Sequence, residues 1–209
     1  MREVFTTISL FFLIAFALNS QQIFAQQPSK IIAECTITYS VNIAGNDKKE
    51  TTKKLYIKGR KTRSEISNTS FFQATIYDNK TGDATVLKEV GNDKYLSQFN
   101  TEKWKEKNSR WNDATVTTSN ETKKILNYSC RKATITTKDG SSFVIFFTTD
   151  FTASATENPY QFKNIPGLIL EYESQTSEGK NVEFTAVAID LNPVPAAKFT
   201  VPVSGYRIM

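Results

Sequence analysis

Beyond residue 30 the chain alternates apolar and polar positions with a period of two, and turn residues interrupt the alternation at short intervals. In an extended strand that period places every second side chain on the same face. Residues 31–43 alternate in this way, with Ile37, Tyr39 and Val41 in phase with Cys35, before Gly45, Asn46 and Asp47 turn the chain. Residues 52–66 form a second run, or two short ones bent at Gly59, and runs at 71–78, 84–90 and 94–99 follow. Later runs cover 124–137, 142–149, 168–175 and 181–190, with Gly, Asn, Asp and Ser in the short connections. Connections of this kind join antiparallel neighbours, so the spacing predicts an all-β sheet or barrel.

One stretch departs from the alternation. Residues 101–111 (TEKWKEKNSRW) are rich in helix formers, and Trp104 and Trp111, seven apart, would share one helical face. The segment is expected to be a short helix closing one mouth of the sheet. Its tryptophans then serve either as a core plug or as a lid over a ligand cavity. Past residue 191 the prolines at 193, 195 and 202 fit only an edge strand or a loop.

The N-terminus adds a destination. Arg2 precedes an apolar stretch from Ile8 to Leu18, polar residues occupy 19–22, and Ile23-Phe24-Ala25 precedes Gln26. This is the layout of a signal peptide, with cleavage expected after Ala25. A membrane anchor would need about 20 apolar residues without interruption. Cys35, the first cysteine, follows Glu34 rather than the apolar core, so no lipid anchor is expected. Residues 26–209 are then one exported β-rich domain with no transmembrane span.

Composition removes several chemistries. The chain has no histidine, which takes away the usual general base near neutral pH and the commonest metal ligand. There is no Gly-x-Ser-x-Gly elbow, and no cluster has metal-ligand spacing. The expectation is therefore a non-enzyme without cofactor or metal. A net charge of +5 spread among many acids does not point to nucleic acid. The basic run of Lys48, Lys49, Lys53, Lys54, Lys58, Arg60, Lys61 and Arg63 reads as a solvated hairpin, with an anionic partner as the sharper alternative. Glu171 and Glu173 share one face of the 168–175 run and read as solvent-facing. Asn-x-Ser/Thr triplets begin at Asn68, Asn79, Asn120 and Asn127, and would matter only in a eukaryotic secretory pathway. Cys35 and Cys130 each lie in phase with apolar neighbours, as a core disulfide or as two separate buried thiols. The expectation adopted is a 35–130 bond, on condition that their strands are neighbours.

The strongest local signature is Ile165-Pro166-Gly167-Leu168-Ile169-Leu170, where Pro166 fixes φ and Gly167 is expected to supply a positive φ before an apolar strand. Upstream lie Asn127-Tyr128-Ser129-Cys130-Arg131-Lys132-Ala133 and a strand ending Phe147-Thr148-Thr149-Asp150. Together these resemble the GLPGLI family of exported Bacteroidetes proteins. Asn164-Ile165 stands where that family has Gly-Leu, Asn127 replaces its glycine, and 146–148 replaces its tryptophan strand. The closing pattern of Phe199-Thr200-Val201-Pro202 with Gly205-Tyr206 resembles the end of LolA-like lipoprotein-carrier domains. That resemblance implies a strongly curved antiparallel sheet, a half-barrel, with the short helix capping its concave side. The GLPGLI family has no established activity, so two functions are carried forward. One is a lipid or acyl ligand held in the concave face. The other is a structural or interaction module partnering an outer-membrane protein.

Overall fold

The computed structural model describes residues 30–45, 51–176 and 178–209; the expected signal peptide and Lys48 and Lys49 lie outside them. The strands are β1 (Lys30–Ile32), β2 (Glu34–Ile43), β3 (Thr52–Lys58), β4 (Lys61–Ser67), β5 (Phe71–Asp78), β6 (Ala84–Val90) and β7 (Asp93–Phe99). After helix α1 (Thr101–Lys107) come β8 (Thr115–Ile125), β9 (Tyr128–Thr136), β10 (Ser142–Thr148), β11 (Phe151–Ala153), β12 (Leu168–Gln175), β13 (Asn181–Asp190) and β14 (Arg207–Ile208). Twelve of them form one sheet in the order β14-β7-β6-β5-β4-β3-β2-β13-β12-β10-β9-β8, and β1 and β11 make a small parallel pair. All pairings in the large sheet are antiparallel except β14 on β7. The protein is mainly β, an open half-barrel with one short helix, as the sequence led us to expect. No helix among the described residues is long and apolar enough to cross a membrane.

The 52–66 run is two strands, with Gly59 at φ +57° in the turn between them. The 124–137 run is not one strand. It is broken between Ile125 and Tyr128 by a hairpin whose first turn residue, Leu126, has φ +53°, so β8 and β9 pair with each other. Eleven-residue β8 is an edge strand with a bulge between Thr118 and Thr122, and its polar run TVTTSNETKK carries almost no alternation to read.

Register sets the two faces of the sheet. Across the concave face, directly opposed residues run Tyr39, Lys53, Ile66, Gln73, Lys88 and Tyr95. The main core lies against the concave side of β2, β12 and β13, where Ile37, Tyr39, Leu55, Leu170 and Tyr172 pack with Phe162 from the segment after β11. On the opposite face Ala74, Leu87 and Leu96 form a smaller cluster covered by Val201 and Tyr206. The proline-containing tail thus wraps the convex side before β14 joins the β7 edge, the place its prolines allow.

Cys35 and Cys130 are both buried and both free. β2 and β9 are separated by β13, β12 and β10, so the neighbouring strands that the expected 35–130 bond required are not there. Burial pushes each thiol up to about 11 from its ordinary 9.0. In both cases the folded chain keeps its proton where the unfolded chain loses it. The associated stability is present in full below about 9 and lost as the pH climbs towards 11. Thiol titration should therefore find two reactive groups per chain in denaturant without reductant, and none in the folded protein near neutral pH. An alanine replacement at both positions should move the alkaline loss of stability to higher pH.

Candidate functional site

Lys53 falls in phase with Leu55 and Ile57, and β3 turns all three towards the concave face. It is 2% exposed, which is exceptional for a lysine. Its ammonium donates to Glu157 Oε1 at 2.7 Å and Oε2 at 2.6 Å, and to the hydroxyl of Tyr172. It also lies 5.2, 4.7 and 5.1 Å from the ring centres of Tyr39, Tyr172 and Phe184. The cage is built by register: Tyr39 opposes Lys53, and Tyr172 opposes Phe184, with those two rings stacked at 4.5 Å. Desolvation pulls the Lys53 pKa below its ordinary value while the Glu157 carboxylate works against that pull. The Tyr39 and Tyr172 hydroxyls are pushed well above theirs, first by burial and then by Glu157. The Tyr39 hydroxyl donates to the Ile169 carbonyl at 3.0 Å.

Glu157 comes from the segment 154–167, which crosses the concave face. Asn79 clamps that segment from the β5–β6 turn, donating to the Thr156 carbonyl at 3.0 Å and accepting from the Thr156 N–H at 3.2 Å. Ser154 Oγ donates to the Gly59 carbonyl at 2.5 Å, and Asn158 donates to Asn108 at 3.2 Å. The segment divides the concave face and does not fill it. On one side is a cavity of about 310 Å³ bounded by Tyr39, Leu55, Ile57 and residues 152–157 and 165–169. On the other is a cavity of about 300 Å³ reaching from Lys53, Tyr172 and Phe184 to Trp104, with Glu157 and Phe162 in the walls of both. A third, of about 380 Å³, continues from there along β6 and β7 and shares Gln73, Thr75 and Trp104 with the second.

The expected 101–111 helix is shorter than its sequence suggested. Asn100 caps its start by accepting from the Lys103 N–H at 3.0 Å. At the other end the Asn108 side chain donates to the Trp104 carbonyl at 2.8 Å, and a 3-10 turn at Ser109–Trp111 follows. The phase is lost at that junction, so the two tryptophans do not share a face. Trp104 is buried against Tyr77, Ala84, Phe99 and Tyr160 and borders the second and third cavities. Trp111 packs on Phe143 at 5.3 Å and borders a separate cavity of about 670 Å³ near residues 159–164.

The Ile165–Ile169 motif is structural in a way the sequence did not show. Gly167 does not have a positive φ; the left-handed residue is Asn164, at φ +65°. Asparagine is among the few non-glycine residues that accept that conformation. Gly167 is needed for close approach instead: a Cβ there would collide with the Thr148 carbonyl oxygen of β10 and lie 2.9 Å from its carbon. Ile165, Pro166, Gly167, Leu168 and Ile169 all line the first cavity.

Among the described residues the basic run does not make a continuous ribbon. Lys53 and Arg63 are buried, Arg63 donating to Glu65 and to the Lys198 carbonyl; Lys58 pairs with Glu34 and Lys61 with Asp78. Glu171 is not solvent-facing either, being buried and paired with Lys123 at 2.5 Å, while Glu173 is exposed and accepts from the Val144 N–H.

No protein-family model matches the chain, and no curated protein matches it in sequence. Among solved structures, PNGF-II is similar at 16% identity and a TM-score of 0.52, over 84% of this chain and 30% of that one. The chain thus spans about 30% of the length of PNGF-II. An uncharacterised conserved protein from Thermus thermophilus is similar at 10% identity and a TM-score of 0.51, over 85% of this chain and 90% of that one. A LolA superfamily protein, NE2245 from Nitrosomonas europaea, covers 81% of this chain at 10% identity, with a TM-score of 0.33 that is too low to bear on the fold. What this chain shares with PNGF-II and the Thermus protein is its fold.

Proposed function

We propose that this chain is an exported, non-catalytic protein of the bacterial cell envelope that holds a lipid or acyl chain in the concave face of its half-barrel. The observation that carries the reading is the pair of adjoining cavities on either side of Trp104, of about 300 and 380 Å³, walled by Phe99, Phe162, Tyr172 and Phe184. Ligand sites are concave and mostly apolar with a few placed polar groups; the cavity along β6 and β7 has that character, and the one at Lys53 adds a polar end to it. Export is supported by the signal-peptide layout of residues 1–25. The resemblance of the 123–171 region to the GLPGLI family supports a periplasmic or secreted location. A non-catalytic role is supported by the lack of histidine and by Lys53, whose three protons are all donated to Glu157 and Tyr172. Native mass spectrometry of the protein exported and purified without detergent should show an adduct that denaturation releases as an acyl-bearing lipid. A bare mass, both as purified and after incubation with lipid extract, would remove the reading.

One observation favours a second reading. The 154–167 segment packs Ala155, Phe162 and Ile165 into the main core, as in an interaction module whose concave face is closed. Such a protein would recover an outer-membrane partner from solubilised membranes and carry no lipid.

A further inference from the structure

Resting on the acyl-binding reading, we propose that the group seated between Lys53 and Trp104 is an uncharged hydrogen-bond acceptor, the ester or amide carbonyl at the head of an acyl chain, and not a free carboxylate.

Ser64, Gln73, Thr75 and Ser174 line that cavity and are half-buried, and most of its buried polar groups are paired. Lys53 has three protons and three acceptor contacts, and its single charge is matched by Glu157. Asn108 donates to the Trp104 carbonyl and accepts from Asn158. The Asn158 side-chain oxygen accepts from the Tyr160 and Gln161 N–H groups. Two buried side-chain donors remain. Trp104 Nε1 and Gln161 Nε2 are buried with no partner among the described residues, in residues that are 8% and 7% exposed and that both border this cavity. An indole N–H is a donor in any orientation, so what the cavity lacks is an acceptor. A buried donor left unpaired is costly, which makes such a group a strong discriminator between ligands.

Charge decides which acceptor fits. A carboxylate would enter a cavity whose one ammonium is already neutralised and would stand near Glu157, so it would be desolvated without a counter-ion. A carbonyl supplies two lone pairs and no charge. The acyl chain then has somewhere to go, because the adjoining cavity continues past Trp104 along Val86, Tyr95 and Phe99. Lys88 and Lys107 also border that adjoining third cavity and are exposed. They define the competing arrangement, in which a carboxylate stays outside and only the chain enters.

Methyl laurate, laurate and dodecane, titrated calorimetrically into the mature protein at neutral pH, separate these arrangements. Methyl laurate should bind more tightly than both laurate and dodecane. Trp104→Phe, which keeps the ring and removes the donor, should weaken methyl laurate by about fivefold to tenfold, the worth of one hydrogen bond, and leave dodecane unchanged. Gln161→Leu supplies the same comparison should Trp104→Phe fail to fold. Laurate binding as tightly as the ester, or an ester no better than dodecane, would overturn the proposal and leave acyl binding standing. If none of the three binds, the acyl-binding reading falls with it.

Discussion

Replacing Glu157 with alanine should destabilise the protein by about 3–5 kcal/mol, the usual cost of leaving one member of a buried ion pair without its partner. For a domain of this size that is a fall of roughly 10 °C in melting temperature. The reason is the surroundings of Lys53, which is 2% exposed and would keep only the Tyr172 hydroxyl and three aromatic faces. Burial already draws its pKa down, and the carboxylate that opposes the pull would be gone. In the variant the unfolded chain would bind more protons than the folded one between the lowered pKa of Lys53 and its ordinary 10.5. Stability rises with pH through such a window, so the deficit should be largest at neutral pH and shrink as the pH rises. Combining Lys53→Met with Glu157→Leu should recover most of the loss, since an apolar pair of similar volume needs no desolvation compensation. Urea melts of the two variants measure both effects. A Glu157→Ala deficit below about 1 kcal/mol, the size expected of a surface pair, would show that the pair is not buried in solution.

Gly167→Ala should cost about 3 kcal/mol, at the upper end of what overpacking costs. The added methyl would meet backbone, not a side chain able to turn away: the carbonyl of Thr148 lies in its path and Phe147 Cδ2 is 3.0 Å off. Thr148 cannot easily retreat, because it is fully buried, pairs with Leu168, and belongs to a strand held between β9 and β12. Asn164→Gly is the control. Its φ of +65° is one glycine adopts freely, so stability should change by only a few tenths of a kcal/mol. Equal melting temperatures for Gly167→Ala and the parent would contradict the close approach of β10 and the 165–169 motif.

The alternation of residues showed most of the sheet because it reports faces, and a half-buried sheet has faces to report. β12 and β13 begin and end where the pattern does. β8 escaped because it is an edge strand exposed along nearly all its length, and its turn into β9 has leucine in a conformation that sequence gives to glycine. The site was half-legible. Lys53 shares the inward phase of Leu55 and Ile57, a signal that was available. Its partner, however, is 104 positions away in a segment with no period, and the run of lysines around it suggested solvent. Phase placed both cysteines in the core but could not give the order of strands between them. The seven-residue spacing of the tryptophans held meaning only while the helix lasted, and Asn108 ends it between them.

Those separate positions make the tryptophans reporters for the central claim. In a Trp111→Phe protein the remaining indole, Trp104, stands at the wall between the second and third cavities of the concave face; in a Trp104→Phe protein the remaining one stands at a different cavity. Fluorescence quenching by a methyl laurate brominated on its chain measures directly whether an acyl chain reaches the concave face. The account predicts saturable quenching of Trp104 at low ligand concentration, with Trp111 quenched only weakly and without saturation. Equal, linear quenching of both tryptophans would contradict it.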